Sequence, residues 1–391
     1  MSDKPIETMP HFVAQDDYDA NADRQILDRK DLDAPTWVLV WRRLRRHRLG
    51  VFCGLFLIAI YAMLPFMEVI APYDPNRINE DGIYAPPQGL YLYHQGEYTG
   101  LHTYATATTY DTETGLIKPI ADYETPIPVR MFGFCGEGEY LLGMVETTFK
   151  IICPPKEGAG NLYLLGSDRL GRDVLSRILH GARLSMTIGL IGVTVSFVIG
   201  LVLGGMAGYF GGWIDATVQR LIEIFRSLPE LPIWLALSAA VPVHWNSLAV
   251  FAMISVILGL LDWPGLARAV RSKFLALREE DYVKAAELMG AKPSRVIRAH
   301  MMPNFMSHLI ASASLSIPAM ILGETALSFL GFGIRSPSVS WGLMLNDALK
   351  ANLGALELYP WILTPMIPVI LVVLAFSFLG DALRDALDPY S

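Results

Sequence analysis

The stretch from Gly50 to Ile70 is a predominantly apolar run of 21 residues, about 31 Å long as a helix. That matches the roughly 30 Å hydrocarbon layer of a bilayer, where a chain satisfies its own backbone polar groups only as a helix or a closed barrel. Similar runs follow at Leu184–Met206, Leu221–Val241, Leu248–Trp263, Phe305–Leu330 and Trp361–Leu379. The pattern predicts an all-α polytopic membrane protein with six transmembrane helices. Pro229 and Pro232 interrupt the third run and blur its start, and the fourth is short enough to need tilt or an earlier beginning. A polar tail of nearly fifty residues precedes the first run, which is also too long for a secretory signal.

Basic residues in short flanks set the orientation. Trp41-Arg42-Arg43-Leu44-Arg45-Arg46-His47-Arg48 abuts the first run, and the segment from Arg268 to Arg298 holds eight Lys and Arg. Both are expected in the cytoplasm, and an even number of spans then puts both termini there. Arg169, Arg172, Arg177 and Arg183 fall on the outer side in this arrangement, against the trend. The chain divides into a disordered cytoplasmic tail at 1–35 and an amphipathic helix plus first span at 36–71. An insertion at 72–166 and a permeation core at 167–391 follow, the core with a cytoplasmic loop at 266–303.

The insertion carries twelve acidic and five basic residues, enough to account for the whole chain's net charge of −7. It also holds ten of the sixteen tyrosines. Gly89–Tyr93 and Pro128–Phe134 are strand-like and Asp111–Gly115 reads as a turn, so a small β-rich extracytoplasmic domain is expected. A solvated acidic cap and a docking surface or substrate scoop are both open for it. Cys135 and Cys153 lie within it, where an oxidising compartment permits a bridge without requiring one; Cys53 is expected to pack inside the first span.

Catalytic motifs are missing. The sequence has no Gly-Lys pair and hence no phosphate-binding loop. It also lacks His-Glu-x-x-His, Cys-x-x-Cys and Gly-x-Ser-x-Gly. An enzyme is disfavoured, no metal site is expected, and any energy must come from a partner. A secondary transporter or an ion channel working without an ATPase is the alternative to an energised importer. A membrane receptor would need a cytoplasmic output domain, and the inner segments are too short for one.

The most informative segment runs Asp281-Tyr282-Val283-Lys284-Ala285-Ala286-Glu287-Leu288-Met289-Gly290-Ala291 and continues through Pro293 and His300 to Pro303. Gly290 is placed to end one helix in the left-handed conformation, and Pro293 to open the next. A short helix, a turn and a second helix projecting from the membrane are expected. Ala285 and Ala286 would offer a small surface to a partner. The segment resembles the "EAA" loop of ATP-binding-cassette (ABC) importer permeases, with Ala285, Ala286, Gly290 and Pro303 in register. Lys284 stands where that family usually has Glu, and His300 and Met302 replace Ile and Leu. His300 with Pro303-Asn304 looks like the dipeptide and oligopeptide branch. So do Arg45–Gly50 leading to Ile70–Pro75, Leu165–Arg177, Leu327–Gly333 and Asp381–Pro389.

The resemblance implies the type I ABC importer permease fold in the cytoplasmic (inner) membrane of a bacterium or archaeon. It implies a second homologous permease subunit, two ATPase subunits that consume ATP and Mg, and an extracytoplasmic substrate-binding protein, with no cofactor on this chain. Lys284, Ala285, Ala286, Glu287, Gly290, Ala291, His300 and Pro303 would form the coupling element. The bilayer lipid is a further partner, and nothing points to nucleic acid.

Small residues recur every fourth position at Gly192, Ser196, Gly200, Gly204, Gly208 and Gly212, a spacing that lets helices approach closely in lipid. Among ionisable residues near the membrane interior, Glu223 is a candidate pathway or buried polar group, with a simple pair to Arg226 as the alternative, and Asp262 is expected at the interface. Glu324 is expected to be a buried polar group facing a partner or the pathway.

Overall fold

The computed structural model describes residues 36–110, 117–135, 139–140, 145–146, 148–155, 160–242, 244–350 and 353–387. The tail 1–35, the turn expected at Asp111–Gly115 and the terminal Asp388-Pro389 lie outside those residues. Among the described residues five helices are long and apolar enough to cross a membrane: Arg48–Ile70, Val174–Phe210, Ser247–Arg278, His308–Phe329 and Pro360–Leu387.

In chain order the helices are α1 (Thr36–Leu44), α2 (Arg48–Met63), α3 (Val174–Phe210), α4 (Gly212–Ser227), α5 (Glu230–Ala239), α6 (Ser247–Arg278), α7 (Asp281–Leu288), α8 (Met302–Phe329), α9 (Trp341–Leu349) and α10 (Met366–Leu387). Polar caps mark several starts. Asp173 accepts from the Ser176 amide at 2.8 Å to open α3, and Asn246 accepts from the Ala249 amide at 2.8 Å to open α6. Each satisfies an amide that the helix itself leaves unpaired.

The segment expected as the third span is two helices. Leu228 precedes Pro229 and takes an extended conformation (φ −97°, ψ 138°), so α4 stops and α5 starts afresh at Glu230. A residue before proline is pushed out of the helical region, which is the physical cause. With ten residues, α5 is about 15 Å long, half the hydrocarbon thickness.

The core is built on α3, which packs along α6 and also meets α8, α9 and α4. The small-residue stripe makes this possible. A methyl on Gly204 would collide with the backbone of Ala267, and one on Gly208 would stand 2.7 Å from Phe274 Cβ and 2.8 Å from the Arg271 carbonyl oxygen. Gly200 meets Leu266 in the same way. Gly212 is a correction to the expected stripe. Gly211 at φ +66° ends α3, the fourfold periodicity stops there, and nothing lies within 4 Å of a methyl on Gly212. The contacts of the stripe are within this chain. Helix α2 packs on α10, burying Cys53 and Leu57 against Val372 and Phe376.

Among its described residues the insertion has seven strands: β1 (Tyr91–His94), β2 (Glu97–Tyr110), β3 (Ile117–Pro128), β4 (Arg130–Phe134), β5 (Glu139–Tyr140), β6 (Val145–Glu146) and β7 (Phe149–Cys153). They form an antiparallel β1-β2-β3 sheet and two ribbons, β4-β7 and β5-β6. Gln95 and Gly96, both with positive φ, make the two-residue turn between β1 and β2. Cys135 and Cys153 are joined by a disulfide with Cα atoms 5.7 Å apart.

The base of the insertion is bolted to the helices. Lys150 on β7 donates to the carbonyls of Ala71 and Pro72 at 3.1 and 3.0 Å, capping the end of the first span. The Tyr73 hydroxyl accepts from the Leu162 amide at 2.8 Å, and the Tyr73 amide donates to Ser176 of α3 at 3.1 Å.

Candidate functional site

At one end of the helices, the loop between α6 and α8 folds into a lever. Helix α7 opens after Glu280 and closes at Met289, and Gly290 at φ +79° turns the chain. The Ala291 amide donates to the Ala286 carbonyl at 3.1 Å and the Gly290 amide to the Glu287 carbonyl at 2.9 Å, closing the orphan carbonyls of α7. A methyl on Gly290 would have open space around it, so the glycine serves conformation and not packing. Pro293 starts the next turn. That turn is not a separate helix. It widens into a π-helical segment, Val296–Met301, that runs directly into α8, with Pro303 in the first turn of α8. Pro303 has no amide to give to a preceding carbonyl, and the wide turn accommodates the gap.

The two alanines do not share a face, which corrects the expected small surface. Ala286 is buried with Val283, one helical turn away, against Val296, Met301, Phe274 and Leu277. Ala285 points outward, and beyond it Leu288 and Met289 are 89 % and 81 % exposed. The 3.6-residue period of α7 dictates the split. Lys284 reaches back to Glu279 at 3.1 Å, and that hydrogen bond holds the Glu279 carboxyl below the usual range. His300 lies in the wide turn, where its carbonyl accepts from Asn304 at 3.2 Å.

Three membrane helices meet this lever: α6 through Phe274 and Leu277 packed with Val283 and Ala286, α3 and α8 through side-chain bonds. Glu287 accepts from the Tyr209 hydroxyl at the end of α3 at 2.7 Å. Arg278 at the end of α6 donates to the Tyr209 carbonyl at 3.1 Å. Asn304 in the first turn of α8 donates to the Tyr282 hydroxyl at 2.8 Å. Beside them Asp215 of α4 takes a two-pronged ion pair from Arg271 of α6, which draws the Asp215 carboxyl down. Helix α7 thus touches α3, α6 and α8 together.

Glu324 is fully buried on α8. It accepts from Ser328 at 2.7 Å and from Ser185 of α3 at 3.1 Å, and Ser185 also accepts from the Trp341 amide of α9 at 3.2 Å. Glu223 is exposed and pairs with Arg220, three residues back, at 2.8 Å, and not with Arg226. Asp262, expected at the interface, stands mid-way along α6 and accepts from Ser196 of α3 at 3.1 Å.

The opposite helix end carries a network that sequence reasoning did not assign. Asp168 and Asp347 alternate with Arg172 and Arg177 in a buried square. Arg172 bonds Asp168 at 2.7 Å and Asp347 at 2.9 Å, while Arg177 meets Asp347 at 3.2 Å and also Asp168. Arg183 donates two hydrogen bonds to the Glu68 carboxylate at 2.7 and 2.9 Å. Arg169 approaches Asp347 at 3.9 Å. The four arginines that ran against the charge rule are thus all matched by carboxylates. The sequence signal was the density of opposite charges in Asp168–Asp173.

The segment 200–390 matches the family described as binding-protein-dependent transport system inner membrane component. Residues 36–87 match the N-terminal transmembrane domain of oligopeptide transport permease C. The dipeptide transport system permease protein of Bacillus subtilis is 40 % identical over 228 residues, which span 58 % of this chain and 68 % of that one. The chain belongs to this permease family. The oligopeptide transport system permease protein of Mycobacterium tuberculosis strain H37Rv is 36 % identical over 233 residues, 59 % of this chain and 77 % of that one. The protein is a multi-pass inner-membrane permease subunit of an ABC importer. The lever at 281–303 falls inside the matched segment of the permease, while most of the insertion lies between the two.

Proposed function

We propose that this permease forms half of a translocation pore for peptides or related solutes, delivered by an extracytoplasmic substrate-binding protein. In this reading a second homologous permease supplies the other half. Two separate ATPase subunits bind the cytoplasmic loops and consume ATP and Mg; this chain performs no hydrolysis. Lys284, Ala285, Glu287, Gly290, Ala291, His300 and Pro303 act with the buried Ala286 as the coupling element. Helix α5, with the end of α4, counts as a sixth, broken crossing of type I ABC importer geometry, which places both termini in the cytoplasm and the insertion outside.

One observation carries the reading: an almost bare apolar pair, Leu288 and Met289, tips a helix bonded to α3 and α8 and packed on α6. Such a pair in water is an interaction site in waiting. Closure of the ATPases around ATP would move α7 and tip the attached helices between two states, because the ATP-bound pair favours one of them.

The test uses the assembled complex in proteoliposomes. Leu288→Asp with Met289→Asp should abolish copurification of the ATPase subunits and ATP-driven peptide uptake, while the two permeases still copurify. Uptake that persists when ATP hydrolysis is blocked would falsify the assignment.

A further inference from the structure

At the helix end that carries the lever, a cleft of about 660 Å³ opens between α6, α8 and α10. That is within the ~300–1,000 Å³ typical of small-molecule sites. Each helix contributes one basic group: Lys273 from α6, His308 from α8 and Arg384 from α10. Between them the wall is apolar, with Phe305 and Ala311 on α8 and Leu387 on α10. Phe305 stacks on the His308 ring at 4.9 Å, fixing the imidazole in the wall.

The charges of this cleft are incomplete. Lys273 and Arg384 both act on His308 electrostatically, and among the described residues neither has an ion-pair partner. The contrast within the same protein is sharp, since Arg172, Arg177, Arg183 and Arg271 all end on carboxylates. Lys273 and Arg384, like charges brought together by two separate helices, repel unless an anion sits among them.

Depth identifies the anion. Arg384 lies in the last turn of α10, Phe305 and His308 in the first two turns of α8, and Lys273 five residues before the end of α6. These positions are within about 10 Å of the helix ends, at the level of lipid headgroups and glycerol. The Arg42–Arg48 cluster stands at the same end, because α1 packs on the last turns of α10 through Leu44, Ala382 and Ala386.

We propose that this cleft binds an anionic phospholipid of the cytoplasmic leaflet, its phosphate between Lys273 and Arg384 and one acyl chain along Phe305 and Ala311. Asn304, also in the wall, bonds Tyr282 of the lever, so the lipid sits one contact from the coupling element. The inference rests on the membrane reading and is independent of what is transported.

The assay takes the whole complex into nanodiscs of phosphatidylcholine mixed with phosphatidylglycerol and counts retained lipids by native mass spectrometry. Two cations are expected to give phosphatidylglycerol an advantage of about thirtyfold. Lys273→Gln with Arg384→Gln should erase that preference, and Lys273→Arg should keep it. Equal retention by the double variant overturns the proposal. So does displacement of the lipid by millimolar inorganic phosphate, which would make the site one for free phosphate. Should the double variant not assemble, spin-labelled phosphatidylglycerol on the wild-type complex must show an immobilised component absent for spin-labelled phosphatidylcholine; matching spectra sink the idea.

Discussion

Replacing Gly204 by alanine tests the seam between α3 and α6 directly. An ideal methyl there collides with the Ala267 carbonyl oxygen and stands 2.8 Å from its Cα and 3.0 Å from its carbonyl carbon. Carbon atoms rest at about 3.5–4.0 Å, so the helices must part by roughly 0.5–1 Å, which forfeits a quarter to a half of each dispersion contact along the seam. The obstacle is backbone and cannot rotate aside. Overpacking of this kind costs about 1–3 kcal/mol, and removing a helical glycine returns about 0.5–1 kcal/mol. The net is a loss of about 1–2 kcal/mol, or a Tm roughly 1–2 °C lower for a chain of 391 residues. Gly265→Ala is the control, since nothing lies within 4 Å of its methyl in the same helix pair. Its Tm should hold or rise. Thermal unfolding of the purified complex, followed by tryptophan fluorescence, reads both variants. Equal Tm values would mean that the close approach is not what holds α3 to α6.

Arg177→Met should cost about 3–5 kcal/mol by leaving a buried carboxylate short of a partner; adding Asp347→Leu should recover part of the loss in Tm, and a further drop would refute the square as a unit. Burial pushes the Asp173 carboxyl up to about 6, above its unfolded value of about 3.9, so the folded state holds its proton longer. Stability from this group is therefore present below pH ~4 and lost as pH rises through ~6, about 3 kcal/mol in all. Asp173→Asn, which keeps an acceptor for Ser176, should flatten that limb of a Tm–pH profile. Glu324→Ala should lower stability by about 1–3 kcal/mol by stranding the Ser185 and Ser328 hydroxyls, yet leave peptide uptake per assembled complex unchanged; a selective loss of uptake would make Glu324 a pathway residue.

Apolar runs reported most of the membrane-crossing helices because lipid leaves a chain no other way to satisfy its backbone. The Leu221–Val241 run hid a break, since hydropathy does not register that Pro229 dictates the conformation of Leu228. Gly290 and Pro303 were legible as punctuation because their conformational limits are local. The inward turn of Ala286 was not, since the side of α7 that meets Val296 depends on how the loop folds back. Charge reading met the same limit. Arg177 and Asp347 lie 170 residues apart, and no local pattern couples them.

The three-stranded sheet has a consequence for how this chain tolerates change. Tyr91 and Pro128 both register against His102 on the middle strand, so the segment's two ends stand about 10 Å apart across two strand spacings. Leu101 of the middle strand packs against Tyr73 and Leu162 at the base, so a replacement must keep an apolar residue there. With that contact kept, the segment behaves as a cassette. An unrelated small module with neighbouring termini could be spliced in its place, as a reporter or an affinity handle, while the permease beneath keeps its footing.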